Sequence, residues 1–321
     1  MRSKTLLNFS LFFLFVSNVF ADFPAKPITV IEPFSTGGAI DSGVRLITEK
    51  VSDLLGQRLV IEPKPGAGTR LGTELIARSA KDGYTIGVMV SGSGVIIPAL
   101  DPFVKYDPIK DFSLINLSFE TYYLIVSNPN KGIKTLVDLI SIGKSKPNSL
   151  NYATLGLGTS SHIWAELFQA QSGTRFTMVP YAGEPQGLVD VISGIVDFMF
   201  VVPSVASGHV KSGKILGLAV TGSSRMDLLS DVPTVSEGGL PGYFASSWVG
   251  FIAPAGLDEF AKNKLIDTFK IALNDPLVKS KLLNLGFTAK GLDPRGFEAQ
   301  LLSDLKKVKE VGAKSNIVLG Q

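Results

Sequence analysis

Two glycine-rich turns hold the residues best suited to binding an anion. They span residues 34–41 and 154–162, and each contains two glycines. Each turn follows a short apolar stretch and precedes an amphipathic one. Backbone N–H groups without partners therefore meet the positive end of a helix dipole, which is a ready site for an anion. Two such turns, far apart in the chain, predict two lobes that grip one negatively charged ligand.

Side chains in these turns allow more than one interpretation. Asp41 is either an N-cap that also pairs with Arg45, four residues further on, or a contact to the polar end of the ligand. Ser160 or Ser161 can cap the second helix. His162 lies in the first turn of that helix, where the dipole disfavours a positive charge. A neutral His162 either ties the loop down or donates a hydrogen bond to the ligand.

The elements that position these turns alternate between strand and helix. Apolar runs predict strands at residues 28–31, 58–61 and 84–90, with helices between them. This pattern predicts a mostly parallel sheet with helices on both faces. Ligands of open α/β sheets lie at the carboxyl ends of the strands, so residues 91–94, including Ser91 and Ser93, are predicted to face the same cleft.

The rest of the chain predicts a second lobe and a return to the first. Strands are predicted at residues 122–126, 150–154, 176–179, 197–202 and 216–221. The C-terminal third is predicted to hold one strand, at residues 248–252, followed by three helices at residues 260–273, 276–285 and 294–311. We therefore assign residues 22–122 and 246–321 to the first lobe and residues 123–245 to the second. Two crossing strands near Tyr123 and Ser246 form the predicted hinge.

The N-terminus has the pattern of a secretory signal peptide. Arg2 and Lys4 precede an apolar stretch at residues 6–15, and the predicted cleavage site follows Ala21. A retained membrane anchor is the alternative, but the stretch is shorter than the roughly 20 residues that a span needs. We predict export to the periplasm and a protein that is not itself membrane-embedded.

Composition argues against several other classes of function. The net charge of +3 falls to +1 without the two basic residues of the signal peptide, so nucleic-acid binding has no electrostatic support. The chain has no cysteine and two histidines, which are not spaced as metal ligands. A cluster at Gly66 and Gly68 does not fit a dinucleotide fingerprint. We predict no cofactor and no metal.

Short motifs follow one another in a specific order along nearly the whole mature chain. They include Pro33-Phe34, Gly37-Gly38, Asp41, Arg45, Pro65-Gly66-Ala67-Gly68, Asp82-Gly83-Tyr84, Ser161-His162, Val179-Pro180-Tyr181, Asp231-Val232-Pro233-Thr234, Gly239-Leu240-Pro241-Gly242-Tyr243 and Ala253-Pro254-Ala255-Gly256. This set resembles the substrate-binding proteins of tripartite tricarboxylate transporters, the Bug family of periplasmic receptors. The resemblance implies an α/β, type II periplasmic-binding-protein fold whose two βα lobes close on a small carboxylate. It also implies a permease partner with a large and a small integral-membrane subunit.

The resemblance also guides the choice of site residues. Main-chain N–H groups of residues 36–38 and 158–160 are expected to hold the carboxylate, and closure is expected to add further contacts. The predicted ligand-binding residues are Phe34, Ser35, Thr36, Gly37, Gly38, Asp41, Ser91, Ser93, Thr154, Gly158, Thr159, Ser160, His162, Tyr181 and Gly183.

Departures from the family pattern bear on the ligand. Ala182 stands where many members have lysine, and Val201 where aspartate is common; Thr69 replaces a usual glycine. The wall formed by the second lobe is therefore less polar, which favours a less polar mono- or dicarboxylate over citrate. We expect a monomeric receptor that serves a permease. A receptor that signals to a membrane sensor is the alternative, and a hydrolase using Ser160 or Ser161 with His162 is the least favoured, because the chain lacks the G-x-S-x-G elbow.

Overall fold

The computed structural model describes residues 23–34 and 36–319. The predicted signal peptide with its cleavage site, and Ser35, lie outside the described residues. The strands are β1 (Ile28–Glu32), β2 (Leu59–Pro63), β3 (Thr85–Val90), β4 (Phe112–Tyr122), β5 (Leu124–Ser127), β6 (Asn151–Thr154), β7 (Thr177–Pro180), β8 (Phe198–Val201), β9 (Leu216–Val220), β10 (Ser246–Pro254) and β11 (Thr288–Leu292). The helices are α1 (Ala39–Leu55), α2 (Arg70–Ala77), α3 (Ile97–Leu100), α4 (Leu136–Ser145), α5 (Ser160–Ser172), α6 (Glu184–Ser193), α7 (Pro203–Lys211), α8 (Glu259–Asn274), α9 (Pro276–Asn284) and α10 (Pro294–Ser315).

Two separate sheets organise these elements into two lobes. The first sheet has the strand order β11-β4-β10-β3-β1-β2 and the second the order β7-β6-β8-β5-β9. Strands β1, β2 and β3 are parallel, as predicted. The other pairs of the first sheet are antiparallel, and the second sheet is also mixed. The prediction of a mostly parallel sheet is therefore wrong. Strand β10, which returns to the first lobe, runs antiparallel to both of its neighbours, β3 and β4, and the edge strand β11 runs antiparallel to β4.

The chain passes between the lobes at two adjacent points. Strands β4 and β10 pair antiparallel as far as Tyr122 and Ser246, and β5 of the second sheet begins at Leu124. The predicted single strand at residues 122–126 is divided, because Tyr123 carries the chain from one sheet to the other. The two sheets therefore meet at a short double crossing.

One threonine fastens both crossings. The Tyr123 N–H donates to Thr221 Oγ1 (2.8 Å), and the same hydroxyl donates to the Ala245 carbonyl (2.7 Å). Main-chain bonds from Thr221 to Tyr123 (2.9 Å) and from Ala245 to Thr221 (3.0 Å) complete the arrangement. Because these bonds are local to the crossing, the lobes are connected there by a compact hydrogen-bonded unit.

Four of these strands and helices were not predicted from the sequence: β4, β11, α7 and the short helix α3. Strand β4 is buried along most of its length, and its polar residues interrupt the apolar run that marks a buried strand. Strand β11 lies at the edge of its sheet, and its sequence TAKGL has little β-propensity. The prediction of one strand in the C-terminal third is wrong for this reason. Helix α7 begins at Pro203 and contains serine and glycine, which give a weak helical signal.

Together, the three C-terminal helices contact both lobes. Helices α8 and α9 pack on α1, whereas α10 contacts both α3 of the first lobe and α5 of the second. The hydrophobic core beneath α10 runs from Phe297 and Leu301 to Trp164 and Phe168 without interruption. Within residues 23–34 and 36–319, none of the helices combines the length and the hydropathy that a membrane crossing needs.

Candidate functional site

A cavity of about 530 Å³ lies between the two sheets. Its walls come from the loops after β1, β2, β3, β6 and β8, together with residues of β4, β10 and the C-terminal tail. Those five loops follow the carboxyl ends of parallel strands, where open α/β sheets bind ligands. The cavity therefore occupies the place at which the sequence predicts a cleft.

The predicted site residues divide into two groups. Those that line the cavity are Phe34, Ser91, Gly158, Thr159 and Ser160. The other described ones do not line it. Thr36, Gly37 and Gly38 are exposed, whereas Asp41, Ser93, Thr154 and His162 are buried. Ser93 is covered by the Tyr106 hydroxyl, which donates to the Ser93 carbonyl (2.6 Å).

The first glycine turn is held together by Asp41. Gly37 N–H donates to Asp41 Oδ2 (2.9 Å), and the Arg45 Nε atom lies 2.8 Å and 2.9 Å from the two carboxylate oxygens. The predicted ion pair is therefore present. The N-cap prediction is wrong, because α1 begins after the extended residue Gly38 and places Asp41 in its third position. This carboxylate is 3% exposed and stabilises the turn that it follows.

A second carboxyl group lies beneath this turn. Glu32, at the end of β1, is fully buried, and neither of its carboxyl oxygens has a hydrogen-bond donor among the described residues. Burial and the neighbouring Asp41 carboxylate raise the pKa of Glu32 to about 8. The Arg45 guanidinium in turn lowers the pKa of Asp41. At neutral pH Glu32 is therefore mainly protonated beside an ionised Asp41.

The second glycine turn is held by a network of hydroxyl groups. Thr154 Oγ1 and Ser161 Oγ are 2.9 Å apart, the Leu155 N–H donates to Ser161 Oγ (3.3 Å), and Thr159 Oγ1 donates to the Gly156 carbonyl (2.7 Å). The prediction that Ser160 or Ser161 caps α5 is wrong. The N-cap is Thr159, whose side chain makes no capping hydrogen bond to the described residues of the helix. The Ser161 hydroxyl bonds instead to Thr154 at the end of β6.

His162 ties this turn to its helix. Its Nδ1 atom accepts the Gly158 N–H (3.2 Å), so this nitrogen carries no proton. Burial lowers the pKa of His162, which agrees with the predicted neutral ring. The Gly158 N–H therefore already has an acceptor, and so does the Gly37 N–H of the first turn.

Two main-chain donors at the start of α5 remain for a ligand. Ser160 and Ser161 are the first two helical residues, so their N–H groups have no acceptor within the helix. Within the part of the chain that the structure describes, no other acceptor bonds them, and both residues line the cavity. The partial positive charge of the helix end adds to their attraction for an anion.

Neutral hydroxyl groups line the wall near the hinge. Tyr123 Oη lies 3.5 Å from Ser247 Oγ, and both residues border the cavity. Burial raises the pKa of Tyr123, so its hydroxyl stays protonated. The half-buried Glu184 lies nearby at the start of α6, and burial raises its pKa to about 7. The sequence analysis treated Tyr123 only as a hinge residue.

Tyr181 and Gly183 lie away from the cavity wall. The Tyr181 hydroxyl donates to Asp190 Oδ2 (2.6 Å), and burial with this bond raises its pKa to about 12. Gly183 is the N-cap of α6. Neither residue lines the cavity in this structure.

One wall was missed by the sequence analysis. Residues 67–70, after β2, line the cavity together with Asp101, and Arg70 forms an ion pair with that aspartate. Thr69 has a left-handed backbone (φ 83°), and its buried Oγ1 atom has no hydrogen-bond partner among the described residues. The rule that placed Ser91 in the cleft also applies to the loop after β2. The Arg70–Asp101 pair has no sequence signal, because the partners are far apart in the chain.

Comparisons with known proteins give a consistent result. The family model described as "Tripartite tricarboxylate transporter family receptor" matches residues 44–316. Protein BugT of Bordetella pertussis is 32% identical over 302 residues, which cover 91% of each chain. Two similar solved structures are Rpa4515 of R. palustris with adipate (28% identity, TM-score 0.81, 92% and 99% of the two chains) and MatC from Rhodopseudomonas palustris with bound malate (31%, 0.77, 90% and 99%).

Proposed function

Because the chain belongs to the tripartite tricarboxylate transporter receptor family, we propose that it is a periplasmic receptor that binds a small organic carboxylate between its lobes and delivers it to a membrane permease. The observation that carries this proposal is the start of α5. There the unpartnered N–H groups of Ser160 and Ser161 border a cavity between the lobes. A carboxylate oxygen can accept both N–H groups at the positive end of the helix dipole. The site performs binding, and we assign no catalytic step to it.

The charge of the cavity wall favours a ligand of low polarity. Among the described lining residues, Arg70 and Asp101 are the charged side chains, and they neutralise each other. The remaining wall combines hydroxyl groups with apolar side chains such as Phe34, Trp248 and Phe287. A mono- or dicarboxylate with an apolar body suits this wall better than citrate, whose three charges would need more donors. The relatives solved with adipate and malate support the carboxylate class.

Closure of the lobes around the ligand is the proposed conformational step. In this structure the lobes approach each other at two lips of the cleft, where Gly286 lies against Ser204 and Gly158 against Leu319. The hydrogen-bonded crossing at Tyr123 and Ala245 is the natural hinge. Opening separates the two lips while the crossing keeps the sheets connected.

The variant Ser160→Pro tests the carboxylate site. Proline is tolerated at the first helical position, and the extended backbone of Thr159 (ψ 160°) suits a following proline. The change deletes the Ser160 N–H, whereas Ser160→Ala removes only the hydroxyl. Mature protein is unfolded, refolded without ligand and titrated calorimetrically with mono-, di- and tricarboxylates and matched amides.

We expect at least one carboxylate to bind and its matched amide not to bind. Ser160→Pro should weaken that binding at least about tenfold, which corresponds to roughly 1.4 kcal/mol for a charge-assisted hydrogen bond, and Ser160→Ala should change it much less. Equal affinity of the proline variant and the wild type would refute the proposed site. Tight binding of citrate with rejection of simpler acids would refute the proposed ligand class. Delivery is tested separately, by ligand uptake in cells with and without the permease pair.

A further inference from the structure

The C-terminal tail, residues 316–319, crosses one lip of the cleft. Asn316 ends α10 with a left-handed backbone (φ 52°), and the Ile317 N–H donates to the Gly312 carbonyl (3.0 Å). The Leu319 N–H then donates to the Leu100 carbonyl (2.9 Å) at the end of α3. The backbone of the tail is therefore fastened to the first lobe.

The side chain of Leu319 reaches the second lobe. It lines the cavity, and a β-carbon placed on Gly158 would lie 2.8 Å from its Cδ2 atom. Leu319 therefore packs directly on the α-carbon of Gly158, next to the N–H groups at the start of α5. The preceding Val318 is 46% exposed and does not line the cavity. The tail is thus bonded to one lobe and packed on the other through a single residue.

We propose that Leu319 is a clasp that seals the ligand cavity and slows the release of the bound carboxylate. This inference rests on the proposed function. The lobes cannot separate at this lip without exposing the leucine and uncovering Gly158, so opening loses an apolar contact that the closed state holds. A clasp of this kind acts on the dissociation rate, because it is broken when the ligand leaves.

Leu319 lies outside the segment that the family model matches. That match ends at residue 316, three residues before Leu319. Gly158, on which the leucine packs, has a φ of +78° and no side chain, which leaves the space that Leu319 fills.

The test compares Leu319→Ala with the matched control Val318→Ala. Release of adipate, used as the probe, is measured by stopped-flow fluorescence. Hydrogen exchange of the amides in residues 155–162 is measured without ligand, so that one readout is independent of the proposed function. We expect Leu319→Ala to release adipate about five- to tenfold faster, in line with loss of part of a leucine side chain's burial, and to exchange these amides faster. Val318→Ala should match the wild type in both.

Unchanged release and unchanged exchange in Leu319→Ala would overturn the clasp. Equal effects of both variants would also overturn it, because the control changes only an exposed side chain. If the wild type binds no adipate, the proposal for this ligand fails and the exchange measurement alone decides: faster exchange confined to Leu319→Ala supports the clasp, and equal exchange refutes it.

Discussion

The indole N–H of Trp248 donates to Asp304 Oδ2 at 3.0 Å, which joins the wall of the cavity on β10 to the final helix α10. Both residues are buried, and Asp304 also accepts from Gln300 (2.9 Å) and lies 3.6 Å from the Lys307 ammonium. A buried hydrogen bond therefore joins the cavity wall to the helix whose end carries the tail.

Trp248 is expected to report ligand binding. The chain has two tryptophans, and Trp164 does not line the cavity. A ligand-induced change in tryptophan fluorescence should therefore persist in Trp164→Phe and disappear in Trp248→Phe. Trp248→Phe should also lower the free energy of unfolding by about 1–3 kcal/mol, because the buried Asp304 loses a donor. Trp164→Phe should cost less, since the Nε1 atom of Trp164 bonds to none of the residues that the structure describes. A fluorescence change that survives in Trp248→Phe would contradict the assignment.

Glu32 is expected to make stability fall as the pH rises. Folding raises its pKa from an ordinary value of 4.5 to about 8, so the folded state keeps a proton that the unfolded state releases. The stabilisation is complete below pH 4.5 and is lost progressively up to about pH 8. The raised pKa of Glu184, about 7, likewise makes stability fall as the pH rises, up to about pH 7. Between pH 5 and 8, Glu32 alone should remove roughly 3 kcal/mol from the free energy of unfolding.

Glu32→Gln tests this origin of the pH dependence. The amide keeps the shape and carries no titrating proton, so the loss of stability between pH 5 and 8 should shrink in denaturant titrations. Glu49→Gln, on the exposed side of α1, is the control and should follow the wild type. Parallel pH profiles for Glu32→Gln and the wild type would show that another group is responsible.

Gly38→Val is expected to impair binding while the protein stays folded. Gly38 has an extended backbone (φ −78°, ψ 169°), and a β-carbon there meets no atom of the described residues within 4 Å. The free energy of unfolding should change by about 1 kcal/mol or less, the usual effect of a poor N-cap residue. The sequence analysis predicts that the Gly38 N–H holds the carboxylate, and a valine side chain should keep the ligand away from it. Gly208→Val, on the exposed part of α7, is the control. If Gly38→Val binds the ligand as tightly as the wild type, the first turn does not contact the ligand.

Arg70→Met is expected to destabilise the cavity wall. It leaves the Asp101 carboxylate, whose side chain is 1% exposed, without its cation, which typically costs about 3 kcal/mol or more. Arg78→Met breaks a pair whose arginine is 66% exposed and should cost less than about 0.5 kcal/mol. Adding Asp101→Asn to Arg70→Met should restore part of the loss. Equal melting temperatures for the two methionine variants would refute the buried pair.

Local sequence patterns determined the elements that carry the site. Alternating apolar runs and glycine turns predicted β1 and β6 close to their observed bounds and a helix after each glycine turn, because periodicity and turn chemistry are properties of neighbouring residues. The same patterns placed both glycine turns at helix N-termini and a pair of crossings near Tyr123 and Ser246. The family motifs then indicated the fold that the solved relatives share.

Tertiary structure alone decided which groups face the cavity. Ser161 lies in the predicted turn, yet its hydroxyl bonds to Thr154 and only its N–H remains for a ligand. Asp41 turns inward to Gly37, Arg45 and Glu32. Arg70 meets Asp101, and Leu319 meets Gly158, across separations that no local pattern encodes. Such contacts depend on how two sheets and a distant tail pack together, whereas the strands and helices themselves depend on short-range sequence.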